Sequence, residues 1–84
     1  MSIARKRSAE VRLMRLSEAA HAAGVSRQTV EYYIMLGLVA PIRGPGRRGR
    51  MFDRALVKRI KLIRQANDSG YTLRDIREIY LRRR

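Results

Sequence analysis

The sequence predicts an all-α fold of four helices with one small two-stranded β wing. Three observations predict it. Apolar residues recur at helical spacing in four segments, most of them entered through a capping side chain. Between the second and third segments, Leu38 to Asp53 holds both prolines, three of the six glycines and no acid until its last residue, the composition of a tight hairpin. The chain has no cysteine, so neither a disulfide framework nor thiolate–metal ligation can stand in for an apolar core.

In chain order, residues 1–12 carry Arg5, Lys6 and Arg7 without an apolar period and are expected to be a flexible basic arm. Residues 13–81 form the expected folded domain, and residues 82–84, all arginine, a basic tail. Leu13 to Leu16 reads as a short extended lead-in, after which the Ser17 hydroxyl is expected to cap a first helix ending near Ala23. Ala19, Ala20, Ala22 and Ala23 favour that helix and let a second one approach closely. Gly24-Val25-Ser26 is a tight turn: Gly24 suits a left-handed backbone, Val25 faces the core and Ser26 caps the next helix. The second helix starts at Arg27, carries Val30, Tyr33 and Ile34 at helical spacing and stops at Gly37.

Two short strands joined by Gly44-Pro45-Gly46-Arg47-Arg48-Gly49 follow as the wing. Asp53 is expected to cap a third helix with Leu56, Val57, Ile60 and Ile63 on one stripe, ending between Asn67 and Gly70. The fourth helix has the clearest entry signal, a capping box of Thr72 and Asp75 flanked by Tyr71 and Ile76 at the hydrophobic-staple positions. Val25 with Val30, and Phe52 with Val57, repeat the staple spacing at the second and third helices. Leu73, Ile76, Ile79 and Tyr80 are expected to face inward.

Charge narrows what such a domain can bind. Lys and Arg total 20 against 7 Asp and Glu, a net charge of +13. Of those cations 17 are arginine, whose planar fork fits phosphate oxygens and guanine edges. An 84-residue chain has little room for a deep catalytic cleft, and no carboxylate pair or nucleophile–base set is visible, so neither catalytic residues nor a cofactor is expected. His21, the single histidine, cannot make a metal site alone. No apolar run approaches the roughly eighteen residues that span a bilayer, residues 1–12 lack the apolar stretch of a signal peptide, and a cytoplasmic, nucleoid-associated location is expected. A membrane-surface helix would need bulky apolar residues along one face, and this chain has no Trp and one Phe.

Leu16 to Gly37 fits a helix-turn-helix. Two short helices that cross steeply need a small residue at the crossing, here Ala20, a turn glycine, Gly24, and an apolar clamp, here Leu16, Ala19, Ala23, Val25, Val30 and Tyr33. Double-stranded DNA is then the expected partner, with Arg27, Gln28, Thr29 and Tyr32 on the face that enters the major groove. Tyr33 shares the inner face with Val30 and is expected in the core. Glu31 is the odd residue on this face, expected to pair with Arg27 one turn earlier or to accept from a cytosine amino group. Arg43, Arg47, Arg48 and Arg50 lie on a hairpin too glycine-rich to bury them, which suits phosphate or minor-groove contact.

The order helix-turn-helix, wing, helix, short turn, helix resembles the DNA-binding domain of the MerR family of bacterial transcription regulators over roughly Leu13 to Tyr80. The resemblance is carried by Ala23-Gly24-Val25-Ser26-Arg27-Gln28-Thr29-Val30, Tyr32-Tyr33, Leu36-Gly37-Leu38-Val39 with Pro41, Arg50-Met51-Phe52-Asp53, Ile63-Arg64, and Gly70-Tyr71-Thr72-Leu73 with Ile76. Its Arg50-Met51-Phe52 segment is similar to the glutamine-synthetase-repressor and heat-shock-repressor branches. The resemblance implies a winged helix whose second helix reads the major groove, with phosphates held by Tyr32, Tyr33, Arg50 and Arg64. Two residues depart from the family pattern: Glu31 stands where arginine is usual, and Ile34 where an acid is usual.

Family members usually continue into a dimerisation helix and an effector-binding domain, whereas this sequence ends at Arg84. Two readings follow: a piece cut from a longer regulator, or a natural short regulator without a small-molecule effector site, of the kind that binds DNA as a cooperative homo-oligomer. The Arg82 to Arg84 ending and the N-terminal arm favour the second. The alternative use of the same fold is an architectural or recombination accessory factor, similar to phage excisionases, that bends DNA. RNA binding is a third use, favoured by the arginine-rich ends alone.

Overall fold

The computed structural model describes residues 12–44, 46 and 49–82. The expected basic arm up to residue 11, wing residues Arg47 and Arg48, and the last two arginines lie outside the described residues. Four helices and one two-stranded antiparallel sheet appear in the order α1 (Leu16–Ala23), α2 (Arg27–Met35), β1 (Ile42–Arg43), β2 (Arg50–Met51), α3 (Arg54–Asp68) and α4 (Leu73–Arg82). This is the expected mostly helical fold with a β wing.

The first helix begins two residues earlier than the Ser17 hydroxyl suggests. Arg15 is its N-cap, and Ser17 sits inside the first turn. The cause is non-local. Met14 and Phe52 form an antiparallel bridge, with Met14 N–H donating to the Phe52 carbonyl at 2.7 Å and Phe52 N–H to the Met14 carbonyl at 2.8 Å. That bridge holds the chain extended up to Arg15, so helical backbone starts directly after it. The Glu18 carboxylate accepts the Arg15 N–H at 2.9 Å, satisfying the amide just outside the helix.

Both helix ends of the helix-turn-helix close by the same device. Gly24 at φ 75° and Gly37 at φ 79° take the left-handed conformation that an L side chain rarely adopts. Their amides donate back to His21 and Ile34, while Val25 and Leu38 donate to Ala20 and Tyr33, the paired bonds of a Schellman motif. Between them Ser26 caps α2, its Oγ accepting Thr29 N–H at 3.0 Å. Arg77 adds a bond no local signal announces: its Nε donates to the Leu36 carbonyl at 2.7 Å, so α4 places a cation on the negative end of α2.

The wing pairs Ile42 with Met51 and Arg43 with Arg50, and Gly44 N–H closes its tip on the Gly49 carbonyl at 2.8 Å. Asp53 then caps α3 by accepting Leu56 N–H at 2.9 Å. At α4 the capping box is complete, Asp75 N–H donating to Thr72 Oγ1 at 3.0 Å and Thr72 N–H to Asp75 Oδ2 at 3.2 Å.

These elements enclose one core. α1 packs against α2 and α3, and α4 packs on α3. Ala19, Ala20 and Ala23 meet Val30 and Tyr33 at the crossing of α1 and α2, and Leu38, Phe52, Ile60, Ile63 and Ile76 complete the cluster. One inward assignment and one staple are corrected. Ile79 is 44% exposed rather than turned inward. Tyr71 is also exposed, so the staple at α4 rests on Ile76 alone as its buried member.

Candidate nucleic-acid interface

The N-terminal half of α2 is presented outward because its inner face is consumed by Val30 and Tyr33, both buried against α1. Arg27 and Gln28 are exposed at the helix start, and Tyr32 is 48% exposed one turn later. Thr29 is placed differently from its neighbours: it is half-buried, and its hydroxyl lies 2.9 Å from Ser26 Oγ. Part of its hydrogen-bonding capacity therefore serves the helix cap.

A shallow groove joins this helix start to the C-terminal half of α3. Gln28, Thr29, Tyr32 and Tyr33 line it from one side and Arg64, Asn67 and Asp68 from the other. The structure thus brings together five of the residues singled out in the sequence. Tyr33 is 2% exposed, which supports its core assignment, yet it also lines the groove with Arg64. Arg64 Nε donates to both carboxylate oxygens of Asp68, at 3.1 and 3.2 Å, one turn along the same exposed helix face. A surface pair of this kind is weak and exchangeable, so Arg64 can trade Asp68 for another anion.

Burial pushes the Tyr33 phenol above its ordinary value; Arg64 nearby opposes that shift and Asp68 adds to it. In the unfolded chain the phenol ionises first as pH rises through about 10. Its contribution to stability is thus fully present below that pH and is lost as pH climbs from there toward the folded value. Thermal unfolding followed through this alkaline range should show the decline, and Tyr33→Phe should flatten it. An unchanged decline in the variant would contradict the assignment.

Arg43 and Arg50 stand opposite each other on the wing, both exposed. Here the expected partner of Glu31 is corrected. Its carboxylate does not pair with Arg27. It is held by Arg50, Nη1 to Oε1 and Nη2 to Oε2, both at 3.0 Å. An arginine N-terminal to a glutamate is the less favourable order within a helix, and the hairpin offers a guanidinium in fork geometry instead. The hydrogen bonds from Arg50 hold the Glu31 carboxyl below its ordinary value, and Arg27 contributes only a field. The pair ties α2 to the wing across 19 residues of sequence.

A second arginine contact escaped sequence reasoning. The Arg59 guanidinium lies 4.1 Å from the centre of the Tyr80 ring, joining α3 to α4. Like the Arg77 bond, it connects residues too far apart for any local pattern. Among the described residues no three His, Cys, Asp or Glu side chains gather where they could hold a metal ion, and no helix is long and apolar enough to cross a membrane.

Known proteins share this architecture. The HTH-type transcriptional regulator CueR of Bacillus subtilis is 38% identical over 64 residues, covering 76% of this chain and 44% of that protein. Nodulation protein NolA of Bradyrhizobium elkanii is 36% identical over 67 residues, 80% of this chain and 31% of its own length. The mercuric resistance operon regulatory protein of Bacillus cereus is 32% identical over 62 residues, covering 74% and 47%. In three dimensions the chain superposes on the transcription regulator PbrR691 of Ralstonia metallidurans, solved in complex with lead(II). The TM-score is 0.73 at 32% identity, over 83% of this chain and 54% of that one. The chain spans about a third to a half of the length of these relatives, of which the Bacillus subtilis, Bacillus cereus and Ralstonia metallidurans proteins are named as regulators. The match to the MerR HTH family of regulatory proteins runs over residues 14–82, nearly the whole described structure, and the chain belongs to that family.

Proposed function

We propose that this chain is a sequence-specific regulator of transcription that binds double-stranded DNA, with α2 as the reading helix. The observation that carries this reading is the outward start of α2, where exposed Arg27 precedes a groove lined by Gln28, Tyr32 and Arg64, on a chain of net charge +13. Arg27 matches the acceptor pair of guanine and Gln28 the acceptor–donor pair of adenine in the major groove. Tyr32 and Tyr33 on that helix, Arg43 and Arg50 on the wing and Arg64 on α3 serve the phosphates, joined by Arg47, Arg48 and the basic segments 1–12 and 82–84. The chain acts in the bacterial cytoplasm on chromosomal duplex and occupies neighbouring sites as a cooperative homo-oligomer.

The test separates reading from gripping. Sites are selected from a pool of random duplexes, and the preference of two variants is then measured position by position. Gln28→Ala should lose discrimination at one base pair, worth about 1–3 kcal/mol, and keep it elsewhere. Arg43→Ala should weaken all sequences alike and make the salt dependence shallower by about one charge. Two variants with the same profile would refute the division of roles.

A further inference from the structure

The Glu31–Arg50 pair has more to do than join two elements. Both side chains are about half exposed, at 49% each, so the pair lies on the surface and contributes little to stability. Its position is what matters. Glu31 is on the reading helix, one turn after Arg27 and next to outward-facing Tyr32, and Arg50 is on the wing. Each would behave differently alone at a surface that meets phosphates. A bare carboxylate there repels every duplex, and a bare guanidinium attracts every duplex regardless of sequence.

Paired, the two charges cancel, while the guanidinium keeps donors to spare. Two of its five N–H groups point at Glu31, which leaves three in a fixed plane. We infer that Glu31 is a specificity-determining residue: it removes the indiscriminate attraction of the wing cation Arg50 and fixes that guanidinium so its remaining donors reach phosphate only when α2 is seated in a matching site. Specificity is a difference between affinities, and lowering the affinity for wrong sequences raises it as surely as adding contacts to the right one. This inference rests on the DNA-binding reading above.

The test uses the full 84-residue chain, a selected duplex and a scrambled duplex of the same composition, titrated over a range of salt. Glu31→Gln keeps the shape and removes the charge. It should steepen the salt dependence on scrambled duplex by about 0.9 in the log–log slope and tighten that binding roughly tenfold near 0.1 M salt, so that the ratio of selected to scrambled affinity falls. Arg50→Gln leaves Glu31 uncompensated and should weaken both duplexes, and adding Glu31→Gln to it should restore scrambled-duplex binding to about the wild-type level. An unchanged slope and ratio in Glu31→Gln would overturn the inference. So would a loss of affinity for the selected duplex alone, which would make Glu31 a base contact. If the wild-type chain itself shows no salt-dependent duplex binding, the DNA-binding reading fails first and the inference falls with it.

Discussion

Phe52→Ala is expected to lose about 3–5 kcal/mol of stability, most or all of what a domain of this size holds. Phe52 is fully buried, at 0% exposure, and is the largest side chain so enclosed. Its surroundings cannot close over the void. On one side its backbone is fixed to Met14 by two hydrogen bonds, and on the other Asp53 caps α3 directly after it. The ring is thus locked at the point where lead-in, wing and third helix meet, and truncation leaves a cavity instead of a collapse. Urea unfolding of the variant should show a much lower midpoint, if a folded baseline survives at all. Ile79→Ala, at a position 44% exposed, provides the contrast and should stay near wild type. A Phe52→Ala variant within about 1 kcal/mol of the parent would mean that the core is not organised around that ring.

The features legible in the sequence are those set by neighbours along the chain. Ser26, Asp53 and the Thr72–Asp75 box cap the helices as their spacing implies, since a cap needs only a side chain three residues from an amide. Gly24 and Gly37 close α1 and α2, and helical periodicity alone sends Tyr33 inward and Tyr32 outward. What escaped depends on contacts between distant segments. The bridge from Met14 to Phe52 moved the N-cap of α1 to Arg15, and nothing near Ser17 signals it. Glu31 found Arg50 across 19 residues, and Arg77 found Leu36 across 41. In the candidate interface the residue types were therefore readable before the structure, whereas the partners of its charged members were not.

That distinction affects how the binding surface is counted. Arg50 and Arg64 were both expected as open phosphate ligands, and each is held by a carboxylate in the protein alone. The two pairs differ in kind. Arg64 and Asp68 lie on one helix and exchange at little cost, whereas Arg50 and Glu31 join separate elements through a two-pronged contact. On the proposed DNA-binding reading, the cations that drive attraction to duplex are those without such a mate, together with whatever Arg64 contributes after exchange.

Salt titration of duplex binding tests the central claim most directly. Each phosphate neutralised by Lys or Arg releases condensed counterions, so affinity falls linearly on a log–log scale with a slope set by the number of phosphates engaged. For a chain carrying 20 basic residues, engagement of about six to ten phosphates corresponds to a loss of roughly three to five orders of magnitude between about 50 and 200 mM salt. Measured on a selected site and on a scrambled duplex, the expected result is a steep fall on both, with the selected site bound more tightly at every salt concentration. A shallow response, or two curves that coincide, would contradict a reading helix set in a phosphate-gripping surface.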